Sequence, residues 1–478
     1  MKVAVVGAGF GGIAMAIALK RAGIDFEVYE RAEGIGGVWL QNTYPGAACD
    51  IPSYLYSLSY AQRRDWSRPC SPQAEILEYL RETADRHGVS DRVRTLTPIA
   101  RARFDESSLR WELESADGER FEADALVIAC GQLSRPGWPE IEGMDDFAGH
   151  SFHSAHWDHD YDLRGKRVAV VGTGASAIQF VPPLAEQAGR VDVYQRTAPW
   201  LVPRRNEPYA PWVRALIRHV PGLQRARRAG IWAFGELLAH SFSTSRPLRA
   251  LFAAWSTAFM RFQVRDRALW RRIRPDYPFG CKRILFSSDY LPALQRPDVE
   301  LITDRIARIG ARGPVTLDGV EREVDCLIYS TGFKTGEFVL PMRVEGSAGR
   351  ELQEAWDGGA RAHLGIAVAG FPNMFMLYGP NTNLGSGSIV VMLEAQVGYV
   401  MQALRAGRGA ALEVREDVQA AFDERVQERL ADHVWSACDS WYRLDGNGRN
   451  TSNWPGYVIE YVRATKRLRP EEYRLLRA

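Results

Sequence analysis

The chain opens with an unbroken apolar run, Val3 to Val6, followed by glycines at 7, 9 and 12, a second apolar run that stops at Gly23, and the short segment DFEVYE ending at Glu30. Four apolar residues bounded by glycine suit a buried strand, and the longer run with a glycine stop suits a helix. The pattern therefore predicts strand, glycine turn, helix, strand, acid. It returns in KRVAVVGTGASAIQFVPPLAEQAGRVDVYQRT, where a strand over Val168–Val171 leads into Gly172, Gly174, Ser176 and Ala177, and a second strand covers Val191–Tyr194. Two further runs, ADALVIACG ending at Gly131 and VDCLIYSTG ending at Gly332, predict strands whose C-terminal ends meet a ligand.

Each turn position has a physical task. Gly7 permits a tight turn, Gly9 lets the backbone approach a pyrophosphate, Gly12 lets helix pack on strand, and Glu30 offers a carboxylate to ribose hydroxyls. The second unit ends differently, on Gln195, Arg196 and Thr197. A carboxylate there would repel a 2′-phosphate, whereas Arg196 can bind one and Thr197 can add a hydroxyl, so this unit should prefer NADP to NAD. The apolar stretch Val3 to Leu19 has the character of a signal peptide core, but its glycine spacing argues for the nucleotide turn.

The predicted fold is α/β, with two Rossmann-like dinucleotide-binding domains. Only the first unit has a long stretch left to complete it after residue 335, so the second is inserted in the first: residues 1–145 with 336–478, interrupted by 146–335. Within the insertion, residues 200 to 275 intermix Trp212, Trp232, Phe234, Phe242, Phe252, Trp255, Phe259 and Phe262 with many arginines, predicting amphipathic helices. The favoured reading is a helical insert that buries its aromatic side, with substrate binding second. Contact with a membrane surface is not expected, because snorkelling arginines on an ordinary helix explain the pattern.

Composition narrows the function. A 46% hydrophobic and 25% charged chain is ordinary for a globular protein, and a formal charge of +2 gives no footprint for nucleic acid. Lysine is rare, six against 54 arginines, which makes each one informative. Six scattered cysteines with no CxxC pair point to a reduced, cytoplasmic setting without a zinc or redox-disulfide motif. Four of the nine histidines, His150, His153, His156 and His159, are spaced by three. A metal site needs convergence; in an extended segment these side chains alternate faces, so no metal is expected.

That histidine stretch carries a sharper signal. Phe147, Gly149, His153, Trp157 and Asp158 resemble FxGxxxHxxxW[PD], the fingerprint of type I Baeyer-Villiger monooxygenases, in which only His153 of the four histidines takes part. A second pattern of that family, [AG]GxWxxxx[FY]P[GM]xxxD, is matched by Gly36, Gly37, Trp39, Tyr44, Pro45, Gly46 and Asp50. Further stretches in family order, IPSYLYSLSY with Tyr56 among them, GQLSRPGWPEIEG, FPNMFMLYGPNTN and SWYRLDGNGRNTSNWPG, extend the resemblance over nearly the whole chain.

The resemblance implies an NADPH- and O2-dependent flavin monooxygenase that inserts one oxygen atom beside a ketone carbonyl, through a C4a-peroxyflavin and a Criegee adduct, to give an ester or lactone. It implies FAD on Gly7, Gly9, Gly12, Glu30, Gly37, Trp39, Asp50, Tyr56 and Gly131, and NADP on Gly172, Gly174, Ser176, Arg196, Thr197, Lys282 and Trp441. Arg283, in PFGCKRILF, matches the family's active-site arginine beside the flavin, and Asp50 the carboxylate that holds it. The fixed guanidinium suits a reaction that develops negative charge on oxygen. The short fingerprint, with His153 and Trp157, is expected to couple the two domains. Ser386, in NLGSGS, stands where relatives often have a histidine. Two other readings stay open: an N- or S-oxygenating flavin monooxygenase, and a catalytically silent nucleotide-binding sensor.

Overall fold

The computed structural model describes every residue except Thr244 and Ala478, with Ser243 described by its backbone alone. Both predicted units form. In the first, Lys2–Val6 runs through the glycine turn into helix Phe10–Arg21 and returns as Asp25–Tyr29; in the second, Arg167–Val171 leads to helix Ala177–Ala185 and Arg190–Tyr194.

Each unit lies at the centre of a five-stranded parallel sheet, and the two sheets share one plan. The first runs Met374–Met376, Ala125–Ile128, Lys2–Val6, Asp25–Tyr29, Val93–Arg94. The second runs His150–His153, Cys326–Tyr329, Arg167–Val171, Arg190–Tyr194, Val299–Ile302. Because both faces of such a sheet are covered, the central strands are apolar without alternation, as in Val3, Val5 and Val168, all 0% exposed. The first sheet takes its outer strand from beyond residue 335 and the second takes its own from the histidine stretch, so the second sheet interrupts the first.

Two features were not read from sequence. An antiparallel meander, Ile99–Asp105, Arg110–Ser115 and Arg120–Ala123, is joined in parallel by Arg343–Glu345, so it too is completed from beyond the insertion. Cys281 and Cys438 form a disulfide across 157 residues, which corrects the expectation of unpaired cysteines. No local spacing announces a pair so far apart; only the tertiary fold brings them together.

The insert follows as helices Pro211–His219, Leu223–Ser243, Arg246–Gln263 and Arg267–Ile273. The expectation that it buries its aromatic side holds for Phe242, but Trp212, Phe234, Trp255 and Phe262 are exposed. Helix Arg246–Gln263 has apolar residues on both sides: Met260 is buried, with Ser256 beside it donating to the Leu201 carbonyl at 2.7 Å, while Trp255 and Phe262 face outward. A helix that is apolar all round and packs on one layer leaves an apolar face to solvent.

Candidate active site

The first glycine turn is closed from three directions. A Cβ on Gly12 would lie 1.8 Å from the Gly7 carbonyl oxygen, so helix and strand meet there with no room for a side chain. Gly7 has φ +107°, which L side chains rarely adopt. Glu30, buried, accepts hydrogen bonds from the amides of Ala8 at 2.6 Å and Ala32 at 2.9 Å, so its carboxylate organises the loop and retains lone pairs for a ligand hydroxyl. Gly131 ends the neighbouring strand with φ +71° and open space around it.

The second fingerprint supplies the next layer. Gly37 brings its backbone against Gly9, where a Cβ would meet the Gly9 Cα at 2.9 Å. Trp39 donates its indole N–H to the Tyr56 hydroxyl at 3.2 Å. Tyr44 donates to the Gln179 side chain at 3.1 Å, and that side chain also bonds both backbone groups of Ala48. Gly46 sits so close to the Gln179 carbonyl that a Cβ would lie 2.5 Å away. Gln179 belongs to the helix after the second glycine turn, so this loop latches the two units together, a role not read from sequence.

Asp50 and Arg283, 233 residues apart, meet at the end of the latch: Arg283 Nη2 lies 2.5 Å and Nε 3.2 Å from Asp50 Oδ2. The carboxylate raises the guanidinium pKa above its ordinary value, against the opposing effect of burial. Arg283 Nη1 has no acceptor among the described residues, and the side chain is 31% exposed, so the cation faces outward on one side. Two tyrosines missed in the sequence flank it. Tyr442, buried, has its pKa pushed up to about 12 by burial and its hydroxyl has no hydrogen-bond partner. Tyr378 donates to Asn383 Oδ1 at 2.7 Å. The disulfide ties the segment bearing Arg283 to the loop bearing Trp441 and Tyr442.

The second turn repeats the first with a wider opening. Gly172 has φ +113°, and its missing Cβ would clash with the Ser330 carbonyl at 2.4 Å, but Gly174 has open space around it. Neither Gly9 nor Ser176, which precede the two helices, gives a side-chain cap, and neither first turn contains an acid. Both N-termini therefore keep free N–H groups suited to a pyrophosphate. Thr173 donates to the Thr197 carbonyl at 3.3 Å. Arg196 is exposed. Lys282 lies over the Tyr277 ring at 4.8 Å, and its pKa is lowered first by burial and then by the charge of Arg196. Two cations from distant segments thus converge beside this turn. Trp441 is also exposed and packs at a tilt against Tyr442, with ring centroids 4.3 Å apart. These arrangements fit FAD at the first turn and NADP at the second.

The histidines disperse. His150 stacks on Tyr161 and lies 2.8 Å from Asp158; His159 bonds Thr43 at 2.8 Å; His156 is exposed. His153 is 1% exposed, packs against Trp138 and Phe333, and has its pKa pushed down to about 4, mainly by burial. Gly149 fits against the Phe147 ring, where a Cβ would lie 2.5 Å away. Trp157 packs edge-on against Phe180 of the latch helix.

Residues 4–224 match the family model of pyridine nucleotide-disulphide oxidoreductases. A Baeyer-Villiger monooxygenase of Streptomyces coelicolor is 42% identical over 484 aligned residues, covering 100% of this chain and 93% of that protein. Among solved structures, closed cyclohexanone monooxygenase matches with a TM-score of 0.89 at 26% identity, covering 100% of this chain and 99% of that one. The complex of OTEMO with FAD and NADP matches with a TM-score of 0.88 at 25% identity, covering 99% of each chain.

Proposed function

The chain belongs to the Baeyer-Villiger monooxygenase family and uses FAD and NADPH; from that premise we propose that Arg283, held by Asp50, is the catalytic cation for oxygen insertion beside a ketone carbonyl. The observation that carries this is the Asp50–Arg283 pair, assembled from distant segments beside the latch, with one guanidinium nitrogen left over.

The assignment of FAD to the first turn rests on Gly7, Gly9, Gly12, Glu30, Gly37, Trp39, Tyr56 and Gly131, with Asp50 at its edge. That of NADP rests on Gly172, Gly174, Ser176, Arg196, Thr197, Lys282 and Trp441. The division at residues 145/146 and 335/336 is proposed with them, the inserted segment carrying the second sheet. When bound and reduced by NADPH, FAD activates O2, so that one oxygen atom enters the ketone and the other leaves as water. Arg283 stabilises negative charge developing on oxygen at the reacting centre. Asp50 positions Arg283 and takes no proton from it, because a guanidinium does not give one up. The Gln179 latch, Phe147, Gly149, His153, Trp157 and Asp158 hold the two units in register, so that hydride donor and acceptor meet. The reaction is assigned to the cytoplasm, where NADPH is regenerated.

The test is a ketone panel with NADPH and 18O2. Ester or lactone containing one labelled oxygen, formed in step with NADPH consumption, supports the reading. NADPH consumption that yields only hydrogen peroxide, or oxygenation of amines and thioethers alone, overturns it.

A further inference from the structure

The insert is inside out on one side. Every exposed position from 226 to 237 on helix Leu223–Ser243, and from 247 to 258 on helix Arg246–Gln263, is apolar. Of sixteen large hydrophobic side chains exposed among the described residues, eight lie between Trp212 and Phe262. Phe262 is 77% exposed, Trp212 69%, Leu251 65% and Phe234 54%. Only positions 244 and 245 separate the two long helices, a connection that makes them a hairpin and sets their outer faces side by side. Isolated exposed apolar residues need no explanation, but a contiguous patch of this kind marks a contact surface.

Charge selects what covers it. Residues 211–263 contain eight arginines and one acid, Glu236, a formal charge of +7 in a chain whose total is +2. Among those eight only Arg218 and Arg228 have a carboxylate within 4.0 Å. Arg225 and Arg246 sit at the starts of the two outer faces and Arg261 near the end of the second, so positive charge brackets the apolar strip. A second copy of the chain docked here would set Arg225, Arg246 and Arg261 against their own counterparts, and like charges across an interface repel. We propose that this face docks onto an anionic lipid surface: the phenylalanine, tryptophan and leucine side chains enter the interfacial zone while the flanking arginines meet headgroup phosphates. An apolar face joined to a basic rim gives the two signals that stable peripheral anchoring needs. No helix among the described residues is long and apolar enough to cross a membrane, so contact is confined to the surface.

The inner side of the hairpin gives the contact a route to the chemistry. Phe242 fills the space beside Gly280 and Gly385, and Ser386 donates to the Gly235 carbonyl at 2.9 Å. Gly280 begins the segment Gly280 to Arg283, so one helix pair links the outer apolar face to the strand of chain that carries the catalytic cation.

The full-length holoenzyme is sedimented with vesicles of phosphatidylcholine containing phosphatidylglycerol, and with phosphatidylcholine alone. Binding to the anionic vesicles only, weakened by salt, with tryptophan emission quenched by brominated lipid, is expected. Replacing Leu251, Trp255 and Phe262 together by serine weakens binding by roughly a hundredfold or more. Arg225→Gln and Arg246→Gln weaken it by about fivefold each. All these variants should retain FAD and NADPH oxidation with a water-soluble ketone. A wild-type protein that stays in the supernatant, shows no lipid quenching, or binds both vesicle types equally overturns the proposal. Self-association in sedimentation velocity that the serine variant abolishes, without vesicle binding, assigns the face to a second copy instead.

Discussion

The two glycine turns are built alike at the first position and differently everywhere after it. Gly7 and Gly172 have nearly the same φ, +107° and +113°, and each excludes a side chain by pressing on the carbonyl of a neighbouring strand end. At the third position Gly12 has no space at all, whereas Ala177 carries its Cβ fully buried. At the end of the second strand the first unit turns a buried glutamate inward onto its own loop, and the second turns an arginine outward. Common topology thus demands glycine only where strand ends crowd the turn; the rest of the motif is set by how closely each helix approaches and by which ligand charge each unit faces.

The largest effect is expected from Gly12→Ala. The added methyl has nowhere to go, so the protein should lose bound FAD and fold poorly, while Ala177→Gly costs about 1 kcal/mol or less. Flavin content and thermal midpoints of both variants check this, and a yellow, stable Gly12→Ala protein breaks the contrast. Next is Arg283→Met, which should lower ester formation by about 10²–10³-fold yet leave NADPH able to reduce the bound flavin, since the second turn is untouched. Anaerobic reduction measured beside product formation separates the two.

His153, on the outer strand of the second sheet, gives a pH signature. Its folded pKa of about 4 lies below the ordinary 6.5, so the unfolded chain takes up a proton first as pH falls. The stability this histidine contributes is whole above pH 6.5 and is lost between there and pH 4, amounting to about 3 kcal/mol. Denaturation midpoints across that window should fall more steeply for the wild type than for His153→Asn. The smallest effect is on cofactor choice: Arg196→Gln should raise the KM for NADPH about tenfold and leave that for NADH unchanged. Equal changes for both cofactors would remove Arg196 from the 2′-phosphate.

What the sequence made legible was local or patterned. The strands, turns and helices of both units are encoded within some thirty residues each, and the Asp50–Arg283 pair is reachable through the family resemblance, Asp50 from a long fingerprint and Arg283 from the short KR pair in PFGCKRILF. The Gln179 latch, the Cys281–Cys438 bridge and the approach of Tyr442 to Arg283 were hidden, because each joins residues more than 130 positions apart with no repeated spacing. The outward apolar face of the insert was misjudged for another reason. Periodicity reports that a helix has apolar positions, but where both sides are apolar it does not say which side the body of the protein will cover.

The interrupted first sheet also has a consequence during synthesis. Ala125–Ile128 pairs on one side with Lys2–Val6, already made, and on the other with Met374–Met376, which leaves the ribosome some 250 residues later. At ordinary elongation rates that edge waits roughly 10 to 50 seconds for its neighbour. For that interval the nascent chain holds a bare, apolar strand edge while an entire second sheet is produced and folds. Prompt closure of the inserted unit, which brings its own ends together, is therefore what delivers the last strand to its place.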